Sequence, residues 1–505
     1  MTVNSRITGY DYPDPDVIRV DDVYYMASTT MYYFPGGVIL RSRDLINWEI
    51  ATYIFDSLDD TSAERLEGGE NIYGKGMWAP SLRYFEGRFY VAFVSHGQPD
   101  THLFVSENIE GPWEHRRIKG YYHDCSLLFD EQKKYIVHGN TKIRITELND
   151  EMTEPLKGGL DKVIVSDDKD KVALGYEGSH IYKIYGKYVL TLIHWPQNGM
   201  RTQAVFVSDS PEGAYFGKDV LSDDAGFYGQ GVAQGGFVDT PDKKWFAVLF
   251  QDSGAIGRIP RLVPVELEND FPKFGIDMKA PKEIEINTKK HEDTLYSNEY
   301  PQLENGTLSK KSVWQWNHVP DYGMVKPESG DILRLRTRNT SFNPMWARNT
   351  LTQRLHFDGN EIRVFLDASQ INNGDTAGLL ILNSFYKMFG IRKKENKFYI
   401  VLLEGKKPAN PYVIGFDDKE KPAVLCEREI SMPEQTLKAV VKFEKMEGKV
   451  QFYFGKDERI GEELEFGFEL NLFTGARVGL CLYSETNPGG EAVFGKFDIK
   501  PLEIN

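Results

Sequence analysis

A single strand pattern recurs five times in the first half of this chain, and few folds repeat one strand at such intervals. The copies read DDVYYMAST from Asp21, GRFYVAFVS from Gly87, KKYIVHGN from Lys133, GKYVLTLIHW from Gly186 and KKWFAVLFQD from Lys243. Each is a polar turn followed by an aromatic-rich run with alternating apolar residues, the signature of a strand. Taking Tyr25, Tyr90, Tyr135, Tyr188 and Phe246 as equivalent, successive copies stand 65, 45, 53 and 58 residues apart. That is close to the roughly 40 to 50 residues of a four-stranded propeller blade with insertions. A serine, a turn and an aromatic follow three of the copies, in SRDLINWEI from Ser42, SENIEGPWEH from Ser106 and SDSPEGAYF from Ser208, and read as turns of outer strands. The spacing predicts a five-bladed β-propeller over residues 1–278.

Beyond VPVELENDFPKF, residues 263–274, the repeat stops, and the polar stretch 279–302 reads as a linker. Over 303–505 short alternating segments such as DILRLRT, EIRVFLDAS, TAGLLILNS, KFYIVLLEG and KVQFYFGK predict a β-sandwich. The chain is thus expected to be all-β, and its 505 residues exceed what one hydrophobic core supports. Lys and Arg total 60 against 75 Asp and Glu, a net charge of −15 that repels a phosphate backbone and argues against a nucleic-acid partner. The opening MTVNSRITGYDYPDPD has no apolar stretch of the signal-peptide kind, and no later run nears the roughly 20 apolar residues of a membrane span. The expectation is a cytoplasmic protein with no membrane partner. Cys125, Cys426 and Cys481 are widely spaced, suit reduced thiols and form no zinc pattern.

In a propeller the innermost strand of each blade delivers its end to one shared opening, so acids just ahead of the repeat strands are candidates for chemistry. Asp14 lies in YPDPD, where Pro13 and Pro15 fix the backbone on either side. Asp124 lies in YYHDCSLLFD, and Glu177 in GYEGSHIYKIYGKYVL, bounded by Gly175 and Gly178 with His180 just beyond. Taken singly, Asp14 and Asp124 read first as turn caps, and Glu177 reads equally well as a solvent-facing strand end. Their shared placement ahead of the first, third and fourth copies predicts that they converge. Glycoside hydrolysis needs two carboxyl groups of divergent pKa, one to activate water and one to protonate the leaving oxygen. A third carboxylate near the acid is expected to raise its pKa by like-charge repulsion.

The same segments carry a family resemblance. YPDPDVIRVDDVYYMAST, GMWAPSLRYFEGRFYVAF, HDCSLLFD and EGSHIYKIYGKYVL resemble the opening, second-blade, middle-aspartate and glutamate segments of glycoside hydrolase family 43, the inverting arabinofuranosidases and β-xylosidases. The resemblance covers nearly the whole chain and is nearest the branch with a C-terminal sandwich, a concanavalin-like jelly roll. It implies Asp14 as general base, Glu177 as general acid and Asp124 as the group that tunes the acid and orients substrate. AQGGFVDTPDKKWFAVLFQDSGAIGRIP resembles that branch's fifth-blade segment and implies Arg258 as the cation meeting substrate hydroxyls or Asp124. Where many members place a histidine that helps hold calcium in the axial channel, this chain has Gln234, whose carbonyl is the implied ligand of a structural calcium. No cofactor is implied for the chemistry itself. TTMYYFPGG implies Tyr33 and Phe34 as pocket walls, and Trp78 and His180 are further candidate sugar contacts.

The implied reaction removes terminal α-L-arabinofuranosyl residues from arabinoxylo- or xylo-oligosaccharides with inversion, with β-D-xylosidase or bifunctional activity as the second reading. Inversion calls for carboxyl groups roughly 6.5 to 9.5 Å apart, leaving room for water. A carbohydrate-binding propeller without catalysis is the rival from another class. It would keep the aromatic repeat and require none of the acids.

Overall fold

The computed structural model describes residues 2–167, 171–268, 271–285, 291–328, 331–410 and 412–503. Strands dominate it, and helical segments are short 3₁₀ turns such as Gly254–Ile256 and Pro344–Trp346. No helix among the described residues is long and apolar enough to cross a membrane.

Four sheets of four strands and one of five follow one another along the first half of the chain. The recurring strand becomes Val23–Ser28, Arg88–Ser95, Lys133–His138, Lys187–Pro196 and Trp245–Asp252, in each case second in its sheet. The polar turn ahead of it is a hairpin. Glu86 and Gly87 have φ of 47° and 77°, and Tyr185 and Gly186 have 49° and 80°. With Phe85 opposite Arg88 and Ile184 opposite Lys187, these are two-residue loops with both residues left-handed, whose twist suits the flanking strands. Aromatic residues recur because they seal one blade to the next. Tyr25 meets Phe89 edge-on at 5.6 Å, Phe85 stacks on Phe129 at 4.6 Å, and Tyr182 meets Phe237 at 4.6 Å. Such pairs each contribute about 0.5–1.5 kcal/mol beyond the area they bury.

Beneath the opening the innermost strands are joined by a buried polar network. Arg83 donates to the Asp16 carboxylate at 2.6 Å, to Ser126 Oγ at 2.7 Å and to the Leu127 carbonyl at 2.9 Å. His180 Nδ1 lies 3.1 Å from the other Asp16 oxygen, and Ser126 Oγ accepts from the Ile181 amide. Four blades thus meet on one ion pair. A buried pair with one partner removed typically costs about 3–5 kcal/mol, so this network fixes the blade ends that carry the acids.

The second half is a sandwich of two seven-stranded sheets. Glu283–Glu285, within the stretch read as a linker, forms a ladder with Thr2–Asn4 at the other end of the propeller. The loop TTMYYFPGG has a different role from the pocket wall expected of it. Tyr33 and Phe34 are 0% and 1% exposed. The Arg477 guanidinium sits 3.5 Å from the Tyr33 ring centroid, and Phe34 exchanges backbone hydrogen bonds of 2.9 and 2.7 Å with Trp316 of the sandwich. Met31, Tyr32, Tyr33 and Tyr73 share one hydrophobic core with Met345, Leu380, Tyr386 and Tyr483. Aromatic rings without solvent access cannot stack on a sugar. Their burial, on the order of 1.5–3 kcal/mol for a large side chain, instead fuses the two domains.

Candidate active site

Asp14 and Asp124 both take left-handed backbone angles, φ 51° and 46°, a conformation that usually costs a residue with a Cβ about 1–3 kcal/mol and clusters at functional sites. At Asp14 the angle is held by neighbours, since Ser28 Oγ and the Thr29 amide both donate to the Pro13 carbonyl, at 2.7 and 3.1 Å. The carboxylate is buried and fully engaged. Thr29 Oγ1 donates to Oδ2 at 2.7 Å and Arg258 Nη1 to Oδ1 at 2.7 Å. Arg258 was expected to meet Asp124 or substrate. Its partners are Asp14 and Asp252, the latter at 3.1 Å, and Asp252 also holds Arg201 at 3.1 Å. Two opposite charges secure the Arg258 cation, raising its pKa despite the cost of burial.

Glu177 lies on Val172–Ile184, the innermost strand of the fourth blade, where the register shifts on both sides of it. Gly178 follows with φ 64°, and a Cβ there would come within 2.8 Å of Gln234 Cγ, so only glycine fits. Asn140 Nδ2 donates to Glu177 Oε2 at 2.6 Å. Asp124 Oδ2 accepts from the Gly178 amide at 3.1 Å. Between the two carboxylates stands His123, whose Nε2 is 3.7 Å from Asp124 Oδ1 and 3.6 Å from Glu177 Oε2. One nitrogen or oxygen from each of the three groups lies within 4.8 Å of the others.

The charges on this side differ from the sequence expectation. Burial pushes the Asp124 carboxyl up to about 6, aided by the nearby Glu177 and Asp14 charges and opposed by His123. Burial alone would raise Glu177 too. The hydrogen bond and charge of His123, with Arg201 and Arg258 behind, outweigh it and hold Glu177 below the usual glutamate range. The carboxyl displaced upward is therefore the one read as a tuning group, because burial prevails at Asp124 while His123 and the two arginines prevail at Glu177.

A small cavity of about 10 Å³, room for about one water, lies where Asp14, Asp124, Gly178, His180 and Gln234 meet. The acids of blades one and three thus border one space, and Glu177 of blade four joins them through His123. His180, proposed as a sugar contact, is buried and given to Asp16, so it forms part of this floor. Gln234 Oε1 faces Arg201 Nη1 at 3.4 Å. Calcium wants six to eight oxygens, whereas here a guanidinium faces the glutamine oxygen and carboxylates already serve other donors. These residues do not fit a calcium ion. Trp78 stands at the rim, stacked on His96 at 5.1 Å and edge-on to His123 at 6.3 Å.

Sequence reasoning missed several members of the site. His123 adjoins Asp124 in the quoted HDCS segment, so adjacency was the available signal. Asn140 and Asp252 end the third and fifth copies of the repeat, and Arg201 precedes the strand Thr202–Ser208; none carries a charge pattern of its own. Phe473 comes from the sandwich, φ 59°, and packs against Trp78 at 5.4 Å and over the Arg258 guanidinium at 5.7 Å. Asp11 ties that loop down, accepting from the Gly475 amide at 3.0 Å and the Arg258 amide at 2.7 Å.

Comparison with known proteins agrees with this arrangement. Residues 5–272 match the profile of glycosyl hydrolases family 43, and residues 308–500 that of the beta xylosidase C-terminal concanavalin A-like domain. A beta-xylosidase of Formosa agariphila is 25% identical over 82% of this chain and 79% of its own. A non-reducing end alpha-L-arabinofuranosidase of Bacteroides ovatus is 28% identical over 54% of this chain and 53% of its own. A solved structure described as a bifunctional GH43-CE from Bacteroides eggerthii superposes with a TM-score of 0.88 at 33% identity, covering 99% of this chain. The chain spans 64% of that larger protein.

Proposed function

We propose, from the premise that this chain belongs to glycosyl hydrolases family 43 and is a glycoside hydrolase, that it removes single terminal pentosyl residues with inversion. The observation that carries this reading is the convergence of three carboxylates: Asp14 and Asp124 line one small space, and Glu177 meets Asp124 through His123. Asp14 is held by the Arg258 guanidinium and the Thr29 hydroxyl, while Glu177 stands in a cluster with His123 and Asp124. Asp14 takes a proton from water as the water attacks the anomeric carbon, and Glu177 gives one to the departing oxygen. Glu177 suits the acid role better than Asp124 because its side chain is 16% exposed against 7%. The rim of Trp78, His96 and Phe473 crowds one side, which supports a pocket for one sugar at a chain end.

Between the two pentoses, terminal β-D-xylosyl is put first. The match to the protein named beta-xylosidase runs over 82% of this chain, that to the one named arabinofuranosidase over 54%, and the C-terminal profile bears the xylosidase name. Arabinofuranosyl, favoured from the sequence, stands second, with a shared pocket for both as the natural intermediate case. The test is hydrolysis of nitrophenyl β-xyloside, nitrophenyl α-arabinofuranoside and xylobiose, with the product anomer followed by NMR at early times. Release of the inverted sugar from one or both is expected. Retention of configuration would overturn the mechanism, and turnover unchanged in Glu177→Ala would remove the acid.

A further inference from the structure

We propose that His123 is a positioning residue for Glu177, holding the proton that Glu177 passes to the leaving oxygen and restoring one after each turnover. The inference rests on the reading of Glu177 as the general acid. Its geometry is that of a bridge, because a single ring nitrogen stands 3.6 Å from Glu177 and 3.7 Å from Asp124. It is also the group nearest water. The His123 side chain is 25% exposed, more than either carboxylate. The step is a simple transfer: the Nε2–H bond of the imidazolium breaks as a bond to Glu177 Oε2 forms, and the neutral ring regains its proton from water. The 3.6 Å gap closes by a few tenths of an ångström, as catalytic hydrogen bonds do when substrate is bound.

The charges around the ring agree. Asp124 first, then the hydrogen bond and charge of Glu177, lift His123 to about 9 in spite of burial. Coupled groups release protons as a set rather than singly, so the cluster keeps one proton up to about 9 and takes a second near the value of about 6 that burial gives Asp124. Other groups surround His123. Tyr121, beside it, is raised to about 12 by burial. His96, reached through Trp78, is lowered by burial, and His138 is lowered to about 4. Asp14 faces the ring from the first blade, and Arg201 and Arg258 face Glu177 as fixed cations. Without His123 the last proton belongs to the two carboxylates alone and leaves at lower pH.

The experiment compares wild type, His123→Gln and Glu177→Ala on xylobiose and on nitrophenyl xyloside across pH. In wild type the alkaline limb of kcat is expected near 9. In His123→Gln it should move down, to a value set by the two carboxylates alone, with xylobiose turnover at pH 8 falling roughly 10- to 100-fold, up to the lower end of the range for lost acid–base assistance. KM should change little. Nitrophenyl xyloside, whose leaving group needs less protonation, should lose far less, and added imidazole should restore part of the xylobiose rate. An unmoved limb in His123→Gln, with xylobiose cleavage abolished by Glu177→Ala, would overturn this inference and leave the pentosidase reading standing. Xylobiose cleavage that survives Glu177→Ala would instead sink that reading. If His123→Gln does not fold, the His123 ring titrated by NMR in the wild-type protein decides, since a value near the ordinary 6.5 would overturn the proposal.

Discussion

The two flanks of the site hold their carboxylates by opposite means. Asp14 is clamped by groups that never change charge, namely Arg258, itself fixed by Asp252, and the hydroxyl of Thr29. Glu177 and Asp124 are bridged by His123, a group that gains and loses a proton within the working range of an enzyme. The difference follows the chemistry each flank is assigned. A base that must be ionised at the start of every cycle is best served by fixed cations, whereas an acid that must be reloaded needs a neighbour able to supply a proton.

The largest effect should come from removing the function of the clamped flank. Asp14→Asn keeps the shape and the Thr29 contact while deleting the base, and kcat is expected to fall on the order of 10³- to 10⁴-fold on every substrate, whatever its leaving group. The opposite flank should respond differently. Glu177→Gln should cost roughly 10²- to 10⁴-fold on xylobiose and much less on an activated nitrophenyl glycoside, so the ratio of the two losses measures how far Glu177 acts as an acid. Equal losses on both substrates would erase the proposed division of labour. Arg258→Lys retains the charge and loses the fork that joins Asp14 to Asp252. A drop of roughly 10- to 100-fold in kcat is expected, since a planar bidentate cation is poorly replaced by an ammonium, and wild-type turnover would show that the clamp does not matter.

The clamped flank was the more legible in the sequence. Pro13 and Pro15 advertised a fixed Asp14, and Arg258 was singled out, although its carboxylate partners are Asp14 and Asp252 rather than Asp124. The repeat strand announced the blades because aromatic residues in it, Tyr25, Phe89 and Tyr90, pack against the neighbouring blade. The bridged flank was half visible. Asp124 and Glu177 could be placed by their positions ahead of the repeat, but the direction of their charges depends on His123, whose adjacency to Asp124 in sequence does not tell that Glu177 faces it as well. The aromatic loop at residues 29–37 was misread for a related reason. Exposed pocket walls and buried domain seams draw on the same residues, and only the second domain packed against Tyr33 and Phe34 tells them apart.

That second domain also reaches the chemistry, which gives the smallest of the expected effects. Phe473 belongs to the sandwich yet rests on Trp78 and over Arg258, so it touches the clamped flank from above while leaving His123 and Glu177 alone. If the sandwich only braces the propeller, Phe473→Ala changes stability and nothing else. If it completes a one-sugar pocket, the loss of an aromatic wall weakens binding of substrate and transition state together, and KM should rise roughly tenfold, about 1.4 kcal/mol, with kcat nearly unchanged. The pH profile should stay where it is, because the charged partners of the bridged flank are untouched. A shifted alkaline limb in Phe473→Ala would mean that the two flanks are coupled through Trp78, and the separation drawn between them would then have to give way to a single cooperative site.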